Sequence, residues 1–259
     1  MLNRRHFCAQ LVAGLGLAAA GRIASAEGPA PIRNIVLVHG AYADGSCWSD
    51  VIALLQKAGY RATAVQNPLT SLADDVVATQ RILALQDGPT ILVGHSWAGT
   101  VISEAGVDPK VAGLVYVSAR APDAGEDYAA LAGRFPTPPA SAGLVKSGGF
   151  AQLNEEAFLR DFAGDLPAER ARVLYALQGR IADTLFASRT SAAAWRSKPS
   201  WYAITTQDRT TAPELQRFVA ARMKARTIEL ASSHLSLISH PREVAALIVT
   251  AATDAATRS

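Results

Sequence analysis

The chain has 259 residues, 49% of them hydrophobic and 18% charged, with a formal net charge of +3 and two cysteines. That is enough apolar sequence for one sizeable α/β core and too little bias for a disordered chain. A near-neutral balance without a basic cluster excludes nucleic acid as partner, and two cysteines exclude a disulfide framework or a zinc site of ordinary spacing.

At the start, Asn3-Arg4-Arg5-His6-Phe7 forms a basic stretch, Cys8 to Ala20 an apolar Gly/Ala-rich run, and Ala24-Ser25-Ala26 a small-residue cleavage site. Residues 1–26 are therefore expected to be an export signal, with Glu27 as the mature start and a periplasmic or secreted destination. The paired arginines favour a twin-arginine route, with general secretion as the alternative. The apolar run is shorter than the roughly 20 residues a spanning helix needs, so no stable membrane insertion is expected after processing. Removing this segment takes Arg4, Arg5 and Arg22 but no acidic residue, leaving 22 basic against 22 acidic side chains. Cys8 leaves with it, and Cys47 is read as a small buried side chain beside Trp48.

From Ile32 short apolar runs alternate with helical patterns, the mark of a parallel sheet covered on both faces. The first strand, Asn34–Val38, runs into His39-Gly40-Ala41-Tyr42. Trp48, Val51, Ile52, Leu54 and Leu55 then recur at helical spacing until Gly59. A strand at Arg61–Val65 follows, and Ser71-Leu72-Ala73-Asp74 resembles a capping box opening a helix through Leu85. Thr90–Val93 and Gly113–Val117 are the next two strands.

Between Arg120 and Pro199 the alternation breaks. Three prolines at 136, 138 and 139, a Ser147-Gly148-Gly149 turn and helical patterns over Glu155–Phe162 and Pro167–Gln178 predict a small helical cap inserted at about 120–199. Strands at Trp201–Thr205 and Thr227–Leu230 complete six, with a helix opened by Thr211-Ala212-Pro213-Glu214 between them. The last helix runs from Pro241 to about Ala252. The expected class is α/β: a mostly parallel six-stranded sheet with helices on both faces.

The chemistry concentrates in residues 91–101, ILVGHSWAGTV. Strand, Gly94-His95-Ser96-Trp97-Ala98 and helix follow one another as in a nucleophile elbow, with Ala98 and then Gly99 where the pattern has one glycine. A serine needs a positioned base. His234 follows the last strand through Ala231-Ser232-Ser233 and is favoured; His240, just before Pro241, is given a capping or packing role. Asp208, in the loop after Trp201–Thr205, is the carboxylate expected to orient the imidazole, with Asp123 as runner-up and a surface pairing with Arg209 as the plainer account. The N–H groups of Trp97 and Ala41 are the expected oxyanion donors.

Ser96, Asp208 and His234 in that order, with His39-Gly40-Ala41, Trp48 and Ser232-Ser233-His234, resemble the α/β-hydrolase superfamily over Ile32 to Ala252. The similarity is greatest to the branch holding plant methylesterases, hydroxynitrile lyases and small bacterial esterases. In that branch the lyases carry a lysine directly after the catalytic histidine and a threonine after the oxyanion-loop histidine, where this chain has Leu235 and Gly40. The resemblance therefore implies a carboxylesterase. Ser96 would be acylated, with His234 as base, and no cofactor or metal would take part. The partner implied is a small-molecule ester with small to medium apolar groups, against a wall of Tyr42, Trp97 and Leu235. The aromatics Phe135, Phe150, Phe158 and Phe162 are assigned to the cap's own core. A lyase, C–C hydrolase or cofactor-free haloperoxidase on the same triad is the alternative within enzymes; a silent binding protein is the alternative outside them. The oligomeric state is not legible.

Overall fold

A computed structural model describes residues 31–257, so the expected export signal at 1–26 lies outside the described residues. In chain order the frame is β1 (Asn34–Val38), α1 (Ser49–Lys57), β2 (Arg61–Val65), α2 (Leu72–Ala84), β3 (Thr90–His95), α3 (Ala98–Ala105) and β4 (Val111–Val117). A long insertion then holds α4 (Tyr128–Ala132), β5 (Leu144–Ser147), β6 (Phe150–Leu153), α5 (Glu155–Ala157), α6 (Ala168–Leu177) and β7 (Ile181–Ala182). The frame resumes with β8 (Ser200–Thr205), α7 (Pro213–Arg222), β9 (Arg226–Leu230), α8 (Ser236–Ser239) and α9 (Pro241–Ala256).

The main sheet has the order β2-β1-β3-β4-β8-β9, with every pairing parallel. β1, β3 and β8 are buried along their whole length, which is why they read as unbroken apolar runs. The step from β1 to β2 goes one way across the sheet and later crossovers go the other. Right-handed connections therefore put α1 on one face, where it packs on α9, and α2 and α3 together on the other. The reversal leaves a crevice at the carboxyl ends of β1 and β3, where open α/β sheets bind ligands.

Local chemistry sets the boundaries. The Ser71 hydroxyl caps α2 by accepting from the Asp74 N–H at 3.0 Å, while the Asp74 carboxylate takes the hydroxyls of Ser71 and Thr70 instead of the cap N–H. α7 and α9 each open on a proline, where the missing N–H would have had no helical partner.

The insertion between β4 and β8 carries, besides its helices, a three-stranded antiparallel sheet, β5-β6-β7, that the sequence reading did not place. The expected helix over Glu155–Phe162 is a short α turn capped by Asn154 that widens into a π-helical turn over Phe158–Phe162. Its side chains Phe158, Asp161 and Phe162 are buried, and the widened turn aims Asp161 and Phe162 at the loops of the crevice.

Candidate active site

Five strands of the sheet end at the crevice and each delivers one component. β3 runs through His95 into Ser96, whose φ of 53° is left-handed, a conformation costing a side-chain-bearing residue about 1–2 kcal/mol. The turn is held by the Ser96 N–H donating to the Val117 carbonyl at 3.1 Å, and by the Ser96 carbonyl accepting from Gly99 and Arg120, each at 3.0 Å.

Ala98 does not disturb this geometry. The tight approach is between Gly94 and the Ala98 backbone: a Cβ on Gly94 would stand 2.8 Å from the Ala98 carbonyl oxygen. The methyl of Ala98 is buried at the first position of α3. Small size is thus demanded of Gly94, and position 98 tolerates alanine.

The three residues expected from the sequence come together. His234 Nε2 lies 2.7 Å from Ser96 Oγ, and His234 Nδ1 lies 2.7 Å from Asp208 Oδ2. The imidazole is fully buried. With a carboxylate on Nδ1, that nitrogen carries the proton and donates to Asp208, which leaves the Nε2 lone pair facing the serine hydroxyl.

Asp208 is held on every side. Its Oδ2 also accepts from Thr205 Oγ1 at 2.9 Å and Gln216 Nε2 at 2.8 Å, and its Oδ1 from the N–H groups of Thr210 and Thr211 at 2.8 and 2.9 Å. Gln216, on α7 and fully buried, also accepts from the Thr205 N–H at 3.0 Å, tying the acid's loop to the end of β8. Arg209 pairs with the buried Asp161 of the insertion at 2.6 Å rather than with Asp208. Burial opposes the ionisation of Asp161, but Arg160 and Arg209 hold its carboxyl below the usual range. The histidine loop is pinned alike, because Asp165 accepts from Ser232 at 2.9 Å and from Ser233.

Two further histidines shape the crevice. His39 Nε2 accepts from the Asn67 N–H at 2.9 Å, so its Nδ1 carries the proton and donates to the Gly40 carbonyl at 2.9 Å, fixing the turn that presents Ala41. His95 Nε2 donates to the His234 carbonyl at 3.0 Å. Burial lowers the pKa of both below the ordinary histidine value, and the neighbouring His234 lowers His95 further, so both stay neutral. Gly40 sits against the elbow: a Cβ there would fall 2.7 Å from Ser96 Cβ and 2.9 Å from the His95 carbonyl oxygen. Among the described residues neither the Ala41 nor the Trp97 N–H donates to another group, which leaves both available to a ligand oxygen.

A cavity of about 280 Å³ opens onto Ser96, lined in part by Tyr42, Trp97, Arg120, Tyr128 and Phe186. The Trp97 indole N–H donates to Asp75 Oδ2 at 2.7 Å, which fixes the ring in the wall. Leu235 is a correction to the sequence reading. It is buried and is not among the residues lining this cavity; it lines a separate small void with Phe158, Phe162 and Ile238. Asp123 makes no hydrogen bond to the imidazole and pairs instead with the exposed Arg196. His240 precedes α9 with no side-chain cap and lies 2.9 Å from Ser239 Oγ. Phe162 is not confined to the insertion's own core, since its ring packs against those of Tyr42 and His234 at 6.1 and 5.1 Å. Sequence reasoning missed Gln216, Arg120, Tyr128 and Phe186, because no spacing rule connects a residue on α7 or in the insertion to this edge.

Residues 35–247 match the alpha/beta hydrolase family. Over 161 residues the chain is 35% identical to a carbendazim hydrolyzing esterase of Nocardioides sp. (strain SG-4G), a stretch covering 55% of this chain and 64% of that protein. Over 101 residues it is 36% identical to a pyrethroid hydrolase of Sphingobium wenxiniae, covering 34% of this chain and 36% of the other. The chain thus aligns with less than two thirds of the length of either relative. The crystal structure of polyneuridine aldehyde esterase superposes with a TM-score of 0.74 at 19% identity, covering 85% of this chain and 98% of that one, a likeness of fold. With its parallel sheet, its strained serine turn and a family match spanning most of its length, this chain belongs to the alpha/beta hydrolase family.

Proposed function

We propose that the protein is a serine carboxylesterase acting through an acyl-enzyme on Ser96. The observation that carries this reading is the unbroken hydrogen-bonded line Ser96–His234–Asp208, with 2.7 Å at each step. As Ser96 Oγ attacks the ester carbonyl, its proton passes to His234 Nε2, and Asp208, supported by four donors besides the imidazole, stabilises the imidazolium that forms. The carbonyl oxygen becomes an oxyanion held by the N–H groups of Ala41 and Trp97. The alcohol leaves with the proton from His234, and water, activated by the same imidazole, frees the acid. The partial relatives named as a carbendazim hydrolyzing esterase and a pyrethroid hydrolase support a small-molecule ester as substrate. The apolar lining at Tyr42, Trp97 and Phe186 suits small to medium apolar groups.

The test is turnover of p-nitrophenyl esters of graded chain length. Wild-type protein hydrolyses at least one, and Ser96→Ala lowers kcat by a factor on the order of 10³ or more. A fluorophosphonate probe labels wild type and not the variant. Equal labelling of both would remove the reading.

Export is proposed with it, from Arg4-Arg5 and Ala24-Ser25-Ala26. Fractionation of the host should find a processed protein starting at Glu27 outside the cytoplasm, and retention of the full-length chain inside would reject export. Replacing both arginines by lysine blocks the twin-arginine route specifically.

A further inference from the structure

The cavity at Ser96 has an apolar wall with one charge in it. Of its lining residues only Arg120 is ionic. Arg120 follows β4, and its own N–H donates to the Ser96 carbonyl, so the chain anchors this side chain directly beside the nucleophile. The guanidinium carbon lies 4.4 Å from the Tyr128 ring centroid, 5.3 Å from that of Trp97 and 5.4 Å from that of Phe186.

Those rings supply π faces, which attract the cation but accept none of its N–H groups in plane. Nη2 donates to the Phe186 carbonyl at 3.3 Å, Nε is buried with no acceptor, and no carboxylate pairs with the group among the described residues. Burial lowers its pKa to about 10, which leaves it charged at neutral pH. An arginine serving only to clamp the insertion would be expected to use both terminal nitrogens within the protein, as Arg222 does on Glu126 and the Ala121 carbonyl, even though its Nε, like that of Arg120, is buried without an acceptor. Arg120 instead leaves Nη1, which unlike Nε is not buried, without an acceptor among the described residues, on a side chain that lines the reaction cavity. A planar guanidinium fork so held fits a carboxylate.

We infer that Arg120 is a specificity-determining residue that binds a carboxylate carried by the ester substrate at a distance from its scissile carbonyl. The substrate class would be half-esters of dicarboxylic acids and comparable anionic esters. The inference rests on the esterase reading of the site, which it deepens.

The experiment compares monomethyl with dimethyl esters of C4 to C8 dicarboxylic acids, on wild type, Arg120→Met and Arg120→Lys. In wild type the ratio of kcat/KM for the monoester over the diester should be about tenfold or more at one chain length. It should collapse in Arg120→Met and partly return in Arg120→Lys. A ratio that is the same in wild type and Arg120→Met overturns the inference. Should Arg120→Met fail to fold by circular dichroism, the wild-type ratio decides: a monoester preference below about tenfold at every chain length overturns the inference. If no ester of any kind is hydrolysed, the esterase reading falls by itself. Calorimetric titration of Ser96→Ala with the same monoesters, against Ser96→Ala/Arg120→Met, then decides for Arg120. Binding about tenfold weaker without the guanidinium sustains its role, and equal binding removes it.

Discussion

At the scale of single residues, the reactive line is only as good as the support behind its last member. Asp208 is aimed by Gln216 and Thr205, and Gln216 is the one donor to it that comes from a helix rather than from the acid's own stretch of chain. Gln216→Met, of similar volume, removes that hydrogen bond while keeping the packing. It should lower kcat about tenfold with little change in KM, and leave the acceptor of the Thr205 N–H empty at a cost of about 1–3 kcal/mol in unfolding free energy. Stopped assays and urea unfolding check the two effects separately. A purely structural Gln216 would lower stability and leave kcat of the folded fraction intact. Asp208→Asn, which keeps shape but loses the charge that fixes the His234 tautomer, should cost on the order of 10³–10⁴ in kcat. The triad members were legible because each stands a fixed short distance past a strand end, where fold and chemistry make the same demand. Gln216 and Arg120 were not, since a buried glutamine in a helix and an arginine after a strand are ordinary until a third dimension shows what they face. Leu235 misled for the same reason: adjacency to His234 in sequence says nothing about which cavity a side chain lines.

At the scale of elements, the two turns after β1 and β3 work as one unit, because they meet across the switch point with no room between them. Gly40→Ala would drive a methyl to 2.7 Å from Ser96 Cβ, so either the oxyanion turn or the elbow must shift. The expected result is a loss of at least tenfold in kcat and about 1–3 kcal/mol of stability from overpacking, read by the same assays. Ala98→Gly makes the opposite case. Restoring the glycine of the usual pattern removes no clash, so activity should hold while the first turn of α3 loses up to about 1 kcal/mol of helix propensity. A marked rise in kcat for Ala98→Gly would show that the alanine does strain the elbow. Element types in the frame were readable because buried parallel strands and capped amphipathic helices announce themselves. β4 and β9 nevertheless start at Val111 and Arg226, before the expected Gly113 and Thr227, because pairing with β3 and β8 continues to those residues. The insertion resisted, since β5 is exposed along its length and the π turn at Phe158–Phe162 exists to serve contacts with Arg209 and His234 that lie far away in sequence.

At the scale of the whole molecule, the crevice makes folding depend on pH through groups that take no part in the chemistry. His39 and His95 are buried and held neutral, whereas in the unfolded chain both titrate near the ordinary value of 6.5. Below that value the unfolded state binds more protons than the native one, so unfolding free energy must rise with pH there and level off above it. Each histidine contributes a slope of up to roughly 1.4 kcal/mol per pH unit while its native form stays unprotonated. Asp75 acts in the other direction. Burial raises its folded pKa above 3.8, so the native state takes up a proton more readily than the unfolded one, and this single acid offsets part of the slope where its range overlaps. Asp161 and Asp165, held below 3.8, add loss of stability only at still lower pH. The net expectation is a positive slope between about pH 5.5 and 6.5 and a plateau near neutrality, measured by urea unfolding across that range. A flat or falling curve in that window would mean that one or both imidazoles accept a proton in the folded state. His39 could then no longer offer its Nε2 lone pair to Asn67, and the turn that carries Ala41 to the oxyanion would lose its anchor on the β2 side.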